Sequence, residues 1–408
     1  MNAVSVAVIG GGAAGLAAAV GASRAGEAVA LCERMPRLGR KLLATGGGRC
    51  NLLNERLDAS AFTPESRNLV RSVLARFGKE DIKAFLGGLG LALTAEGDRI
   101  FPATQQAASV LKAFEIELRR LPVDIRPSWD VREIGWKDGL FLLRSRDGAV
   151  LKAGRVVLAG GGKSYPALGA DGNAYGLARA FGHGLVEPIP SAVPVVVKDR
   201  LGHLLQGQRM KVRAASFVGG RRAEEAEGEI LFASYGLSGT AVLDVSESLS
   251  RALNRDRRGQ PELSVDLVPY LDKDALAVEL ERRLVLGWKD RELAAGLLPE
   301  KFGTVVESWI RTLPDVLAEE RRRPRTRALA ARLKDLRFKV EATRGWNEAE
   351  FTSGGIPADE VEPATLESKL RPGLFLAGEI LDVQGRRGGF NLAWAWASGW
   401  LAGNAGTH

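Results

Sequence analysis

The sequence predicts an α/β fold: a Rossmann-type dinucleotide domain, discontinuous in the chain, interrupted by a β-rich segment with a helical insertion. Three observations lead there. An apolar run, Val4 to Ile9, passes straight into glycines. A second apolar run, Val29 to Cys32, ends on the acid Glu33. The pattern then turns β-rich after residue 188 and helical after residue 271, and returns to a buried-strand pattern at Leu374.

The opening segment carries the most chemistry. Gly10, Gly12 and Gly15 stand in the Gly-x-Gly-x-x-Gly spacing, with Ala13 and Ala14 between the last two. Gly10 lets the strand turn sharply, and Gly12 lets backbone approach a pyrophosphate. Gly15 lets the helix pack close to the sheet, while the free N–H groups at its start face the phosphates. Glu33, eighteen positions past Gly15, suits a ribose hydroxyl, and Arg34 follows it.

Composition narrows the alternatives. The 408 residues exceed one ordinary core, which predicts two or three domains. Cys32 and Cys50 are the only cysteines, and His183, His203 and His408 the only histidines. That excludes a disulfide framework and a Cys/His zinc cluster, and fits a reducing cytosol. The N-terminal run breaks into glycine too early for a signal peptide. Phe390 to Gly403 is apolar but shorter than the roughly 20 residues a membrane span needs, so a buried helix is expected. The expected location is cytoplasmic, without a membrane partner.

Basic residues outnumber acidic ones, 57 to 49, for a net charge of +8. The excess gathers at Arg321 to Arg327, with a smaller group at Arg251, Arg255, Arg257 and Arg258. Such a segment is either a solvated helix face or a surface that attracts a polyanion such as RNA.

Amphipathic segments at Leu69 to Phe77, Asp81 to Leu89 and Ala107 to Leu121 predict helices, with Arg99 to Pro102 extended between the last two. Val123 to Arg146 alternates like strands and predicts an antiparallel meander. Arg155 to Ala159 reads as a buried strand emptying into Gly160, Gly161 and Gly162, close to the bound dinucleotide. Strands are expected at Val193 to Val197, Lys211 to Val218, Glu229 to Phe232 and Leu263 to Leu267. Helices are expected at Lys273 to Leu286, Arg291 to Leu297, Val305 to Thr312 and Val316 to Arg323. The boundaries that follow are 1–187 with 345–408 for the dinucleotide domain, 188–270 with 332–344 for the β-domain, and 271–331 for the helical insertion.

The far end of the chain selects FAD over a nicotinamide as the resident dinucleotide. Gly378-Glu379 follows the strand at 374–377, and Gly388-Gly389 precedes the apolar helix that starts at Phe390-Asn391. A helix start freed by two glycines can aim N–H groups at a flavin ring and stabilise its reduced, anionic form. In the segment from Gly39 to Asn51, Arg40 and Lys41 are placed to neutralise phosphates. Gly46, Gly47 and Gly48 let backbone lie along the ribityl chain or ring, and Arg49 and Asn51 would face the ring. Cys50 is either a small buried residue or the proton donor beside the flavin, a role that needs a partly exposed thiol. Cys32 is core.

These residues resemble a known family. Gly39 to Asn51, Gly160 to Pro166, Phe351 to Ile356, and Gly378 to Asp382 with Gly389 to Leu392 look like the bacterial BaiN/YhiN-like NAD(P)/FAD-dependent oxidoreductases, also labelled the aminoacetone oxidase family. The resemblance covers nearly the whole chain. It implies a GR2-like FAD domain with an inserted β-barrel and a small helical domain. It also implies reduction of activated C=C bonds, in bile-acid enones in one branch and in a uracil of ribosomal RNA in another. The chain departs from the pattern at Ala233 to Thr240, where relatives carry Thr-His, and at Gly169 to Tyr175.

The functional expectation is a reductase in which NAD(P)H docks transiently, since only one complete fingerprint exists. Cys50 is the first candidate acid and Tyr235 the second. An RNA substrate would use Arg321 to Arg327. Two other readings stand beside it: a flavin amine oxidase using O₂, and a non-catalytic flavin-binding protein with a basic surface.

Overall fold

The computed structural model describes residues 3–257, 259–312 and 322–406. They form two units, one running to Pro188 and resuming at Glu350, the other Ile189–Ala349.

The first unit is built on a seven-stranded sheet. Its parallel strands lie in the order Val123–Arg126, Val29–Cys32, Val4–Ile9, Val150–Leu158, Leu374–Leu376. Leu140–Ser145 and Val131–Lys137 extend it as an antiparallel meander from Val150–Leu158. The central strands are apolar and buried, as a sheet covered on both faces requires. One expectation changes here. Val123–Arg126 belongs to the parallel set and not to the meander. The helix Ala107–Arg120 immediately before it provides the crossover a parallel strand needs.

Two helices of small residues cross on this sheet, Ala13–Arg24 and Phe390–Asn404. A Cβ on Gly399 would lie 2.1 Å from the Ala14 carbonyl oxygen, and one on Gly403 2.3 Å from that of Ala18. The crossing therefore tolerates nothing larger than hydrogen at either position. Trp394 and Trp396 on the second helix are fully buried. Each buries on the order of 200 Å² and anchors the C-terminal helix. Among the described residues no helix is long and apolar enough to cross a membrane.

The second unit is a closed antiparallel barrel of Val195–Val197, Gly236–Ser238, Arg221–Ala233, Arg209–Val218, Pro261–Asp266 and Leu336–Thr343, with Leu336–Thr343 closing back on Val195–Val197. Val212, Ala214, Ile230, Phe232, Leu263, Val265, Phe338 and Val340 are buried at alternate positions, the period of two that one-sided burial dictates. Closure removes the exposed strand edges. Sequence patterning missed Gly236–Ser238, which is only three residues long, and it assigned 332–344 to the β-domain without naming the strand Leu336–Thr343.

Between the strands Pro261–Asp266 and Leu336–Thr343 the chain forms the helices Lys273–Val285, Phe302–Thr312 and Arg322–Lys334. The helix expected at Arg291 to Leu297 is absent. Only a short turn forms at Asp290–Glu292, because Gly296 is left-handed (φ +73°) and Arg283 claims the carbonyls of Leu293 and Ala295. The helix expected at Val316 to Arg323 lies mostly outside the described residues.

Candidate active site

A cavity of about 570 Å³ runs through the first unit. Its construction begins where the first strand ends. Gly10 has φ +103°, and a Cβ there would lie 2.4 Å from the Ala159 carbonyl oxygen, so the ends of two neighbouring strands pass in contact. Gly15 does not line the cavity. A Cβ on it would fall on the Gly10 carbonyl, which is the close helix packing expected of it. Gly12 differs, because nothing lies within 4 Å of its Cβ position. That open face, at a helix start with no side-chain cap, is a cradle that a side chain would fill.

Glu33 lines the cavity and is nearly buried. Its Oε2 accepts from the Gly11 N–H at 2.7 Å and its Oε1 from the Met35 N–H at 2.7 Å. The carboxylate therefore shapes the glycine loop, and each oxygen keeps a lone pair for a ribose hydroxyl. Burial pushes its pKa up, and the two N–H donors oppose this. Arg34 reaches the same end, ion-paired with Asp171 and lying 3.7 Å from Asp130.

The opposite end of the cavity is made by Gly47, Arg49 and Asn51 together with Gly388, Gly389 and Asn391. The Asn54 amide donates to the Gly388 carbonyl at 2.9 Å, joining the two segments. The buried Asn51 Oδ1 accepts no hydrogen bond among the described residues. An orphaned acceptor beside two left-handed glycines fits the N–H donor of a flavin ring. With the open face at Gly12 and the acid at Glu33, the residues present fit FAD at both of its ends.

Most of the expected binding residues meet in this one cavity: Gly10, Gly12, Ala13, Ala14, Glu33, Arg34, Arg40, Lys41, Gly47, Arg49, Asn51, Gly161, Glu379, Gly388, Gly389 and Asn391. Gly48, Gly378 and Phe390 do not line it. Gly378 packs on Ala14, and Phe390 meets Phe62 edge-on at 6.1 Å. Lys41 does not stand free for phosphate. Its Nζ donates to Glu379 Oε2 and to Ser164 Oγ, each at 2.5 Å.

Cys50 is fully buried and is absent from the cavity wall. Burial pushes its thiol up to about 11. The partial exposure that the proton-donor role demands is not met. Its left-handed backbone (φ +62°) follows three left-handed glycines that turn the chain inward at this point. Cys32 is core as expected, with its thiol pushed up to about 12 by burial. Tyr235 belongs to the second unit, where the Arg344 guanidinium lies 4.4 Å from its ring centre. Burial pushes its phenol up.

Among the cavity residues that escaped the sequence reading are Arg99, Phe101, Glu350 and Arg387. Arg99 and Phe101 were legible in principle, since alternation about the buried Ile100 puts them on one strand face. Glu350 and Arg387 form a bidentate pair at 2.8 and 2.9 Å, and neither carries a local signal.

The basic segment is partly described. Arg321 lies outside the described residues, and of Arg322 and Arg323 only the helical backbone is described. Arg325 pairs with Asp290 at 2.9 Å, Thr326 is buried and Arg327 is exposed. Further along, Arg332 lies against Trp309 and Lys334 pairs with Asp266 at 2.6 Å. Arg325, Arg332 and Lys334 serve the unit's own packing. No group of His, Cys, Asp and Glu among the described residues could hold a metal ion.

Strand order, glycine cradle and two-ended cavity define a Rossmann-type flavoprotein. The chain belongs to the family described as HI0933-like protein Rossmann domain, which matches residues 4–405. It is 36% identical over 406 residues to a 3-dehydro-bile acid delta(4,6)-reductase of Clostridium scindens, covering 98% of each chain. It is 29% identical to the ribosomal RNA dihydrouridine synthase of Escherichia coli, over 96% of this chain and 95% of that one. In fold it is similar to the 3-ketosteroid delta1-dehydrogenase of Sterolibacterium denitrificans, with a TM-score of 0.55, 12% identity and 99% of each chain covered. These relationships make the chain an FAD-dependent oxidoreductase.

Proposed function

We propose that the protein reduces a conjugated C=C bond, with NAD(P)H as transient reductant. The observation that carries this is the continuous cavity reaching from Gly12 and Glu33 to Gly388 and Gly389. Bound there, FAD would relay a hydride from a nicotinamide to an acceptor.

The residues of the chain would each do a part. The helix start at Gly12 and Ala13 would hold the pyrophosphate, and Glu33 the ribose. Lys41 and Glu379 hold each other and Ser164 at the cavity wall. The helix start at Gly389 would place N–H dipoles against reducing charge. The relatives' names support the acceptor class: a delta(4,6)-reductase and a dihydrouridine synthase both describe saturation of a double bond conjugated to a carbonyl. The two free cysteines fit a reducing, cytoplasmic compartment.

Anaerobic titration of the purified yellow protein tests the reading. NADH or NADPH should bleach the flavin, and a conjugated enone should restore its colour without oxygen. Flavin that neither nicotinamide bleaches sinks the proposal in favour of a binding protein. Peroxide formed from a small amine without nicotinamide sinks it in favour of an amine oxidase. Uridine in RNA is the other acceptor to test, because two relatives carry that name. Dihydrouridine mapping of ribosomal RNA from a deletion strain decides it.

A further inference from the structure

Five cations besides Arg99 line the cavity, and four are neutralised or pinned by carboxylates. Arg34 pairs with Asp171, Lys41 with Glu379, Arg49 with Glu96 and Arg387 with Glu350. Arg40 follows Gly39, whose N–H donates to the Gly11 carbonyl, so it stands at the phosphate loop. Arg99 stands at the other end. Its partner across the strand pair is Asn54, which holds the Gly388 carbonyl, and its Nε lies 3.8 Å from the Cβ position of Gly388. Among the described residues its exposed side chain has neither a hydrogen-bond nor an ion-pair partner.

We propose that Arg99 binds the carbonyl oxygen of the acceptor and stabilises the negative charge that develops there. The inference rests on the C=C reductase reading and deepens it. Addition of hydride to the β-carbon breaks the C=C π bond and moves an electron pair through the α-carbon onto the carbonyl oxygen. FAD held in the cavity in its reduced form would supply the hydride and with it the two electrons. A proton from solvent then adds at the α-carbon, and the carbonyl re-forms. A full charge therefore appears on oxygen during the step, at the end of the cavity where the exposed Arg99 stands. A cation with no counter-ion meets that charge without first giving up a partner. A cation already paired would gain far less.

The neighbouring side chains suit a flat, conjugated acceptor. Phe101 shares the strand face of Arg99, and the Arg49 guanidinium lies 4.4 Å from its ring centre. Gln105 and Glu96 grip the Nε and Nη2 of Arg49, which holds the guanidinium plane still. Such a plane stacks on planar rings. Both an enone and a uracil present a ring and a conjugated carbonyl oxygen.

The test uses p-nitrophenol, whose phenolate mimics the charged oxygen and whose colour reports ionisation. Bound to the oxidised holoenzyme, it should ionise at lower pH than in free solution. Arg99→Gln should lose that shift and bind phenolate at least tenfold more weakly. Arg99→Lys should restore part of both. Turnover of cyclohexenone should fall about hundredfold in kcat for Arg99→Gln, the scale of one lost oxyanion donor. Bleaching by NADPH should not change. Equal phenolate affinity in Arg99→Gln overturns the proposal, as does a defect confined to the nicotinamide step or to KM. A wild-type protein that binds phenolate but is not bleached by nicotinamide would instead overturn the reductase reading alone.

Discussion

Lys41 Nζ and Glu379 Oε2 lie 2.5 Å apart although 338 positions separate them in the chain. Ser164 Oγ joins both, and the Thr352 N–H donates to the other carboxylate oxygen at 2.8 Å. Four segments of the first unit meet in this network at the cavity wall.

Breaking the pair should loosen the cofactor more than the fold. Lys41→Gln leaves Glu379 with its Ser164 and Thr352 donors, so the loss in stability should be about 1–3 kcal/mol. FAD affinity should fall at least tenfold, read from the recovery of flavin fluorescence on dilution. The double variant with Glu379→Gln should lose less than the sum of the two single losses.

Two glycines just ahead of one helix start should answer differently. Gly10→Ala adds a Cβ at 2.4 Å from the Ala159 oxygen on a backbone with φ +103°. Chemical denaturation should show a loss of about 2 kcal/mol or more. Gly12→Val faces open space, so the FAD-free protein should melt as the wild type does, while the purified protein comes out colourless.

The cysteines set a limit at high pH. Burial raises the folded thiols of Cys50 and Cys32, to about 11 and about 12, above the ordinary 9.0. The folded state thus keeps its protons where the unfolded chain loses them. Stability from this source is complete below pH 9 and declines as pH rises from 9 towards 11. The slope is about 1.4 kcal/mol per pH unit for each cysteine. Urea midpoints measured across that window should flatten in Cys50→Ala. At neutral pH, iodoacetamide should label neither thiol until the protein unfolds.

The crossing of the two small-residue helices has no slack. Gly403→Leu should cost about 3 kcal/mol, because its side chain meets the Ala18 carbonyl before it meets any void. Trp396→Ala should cost about 3–5 kcal/mol through the cavity it leaves. Thermal denaturation with matched FAD occupancy measures both.

Local chemistry made much of the first unit readable. A glycine that must turn, a helix start that must stay uncapped and an acid that must end a strand are demands on neighbouring residues. Gly10, Gly12 and Glu33 therefore announce themselves in sequence. The helix entry at Gly388-Gly389 did so too, because a left-handed backbone favours glycine wherever the rest of the chain lies. The three-residue strand Gly236–Ser238 did not, since three residues carry no period.

The sequence by itself determined the dinucleotide cradle, the parallel sheet, the choice of FAD and the family. Tertiary structure alone decided which charges are spent and which remain. Lys41 and Arg40 are adjacent and equally basic, yet only Lys41 meets a carboxylate, and that carboxylate comes from the far end of the chain. Cys50 sits among cavity residues in sequence, but the turn before it sends its thiol into the core. Arg99 has acids at Glu96 and Asp98 nearby in sequence, but Arg49 and Arg56 take them. Pairing depends on distance in space, which local sequence does not encode, and so the one unpaired cation beside Gly388 appears only once the chain is folded.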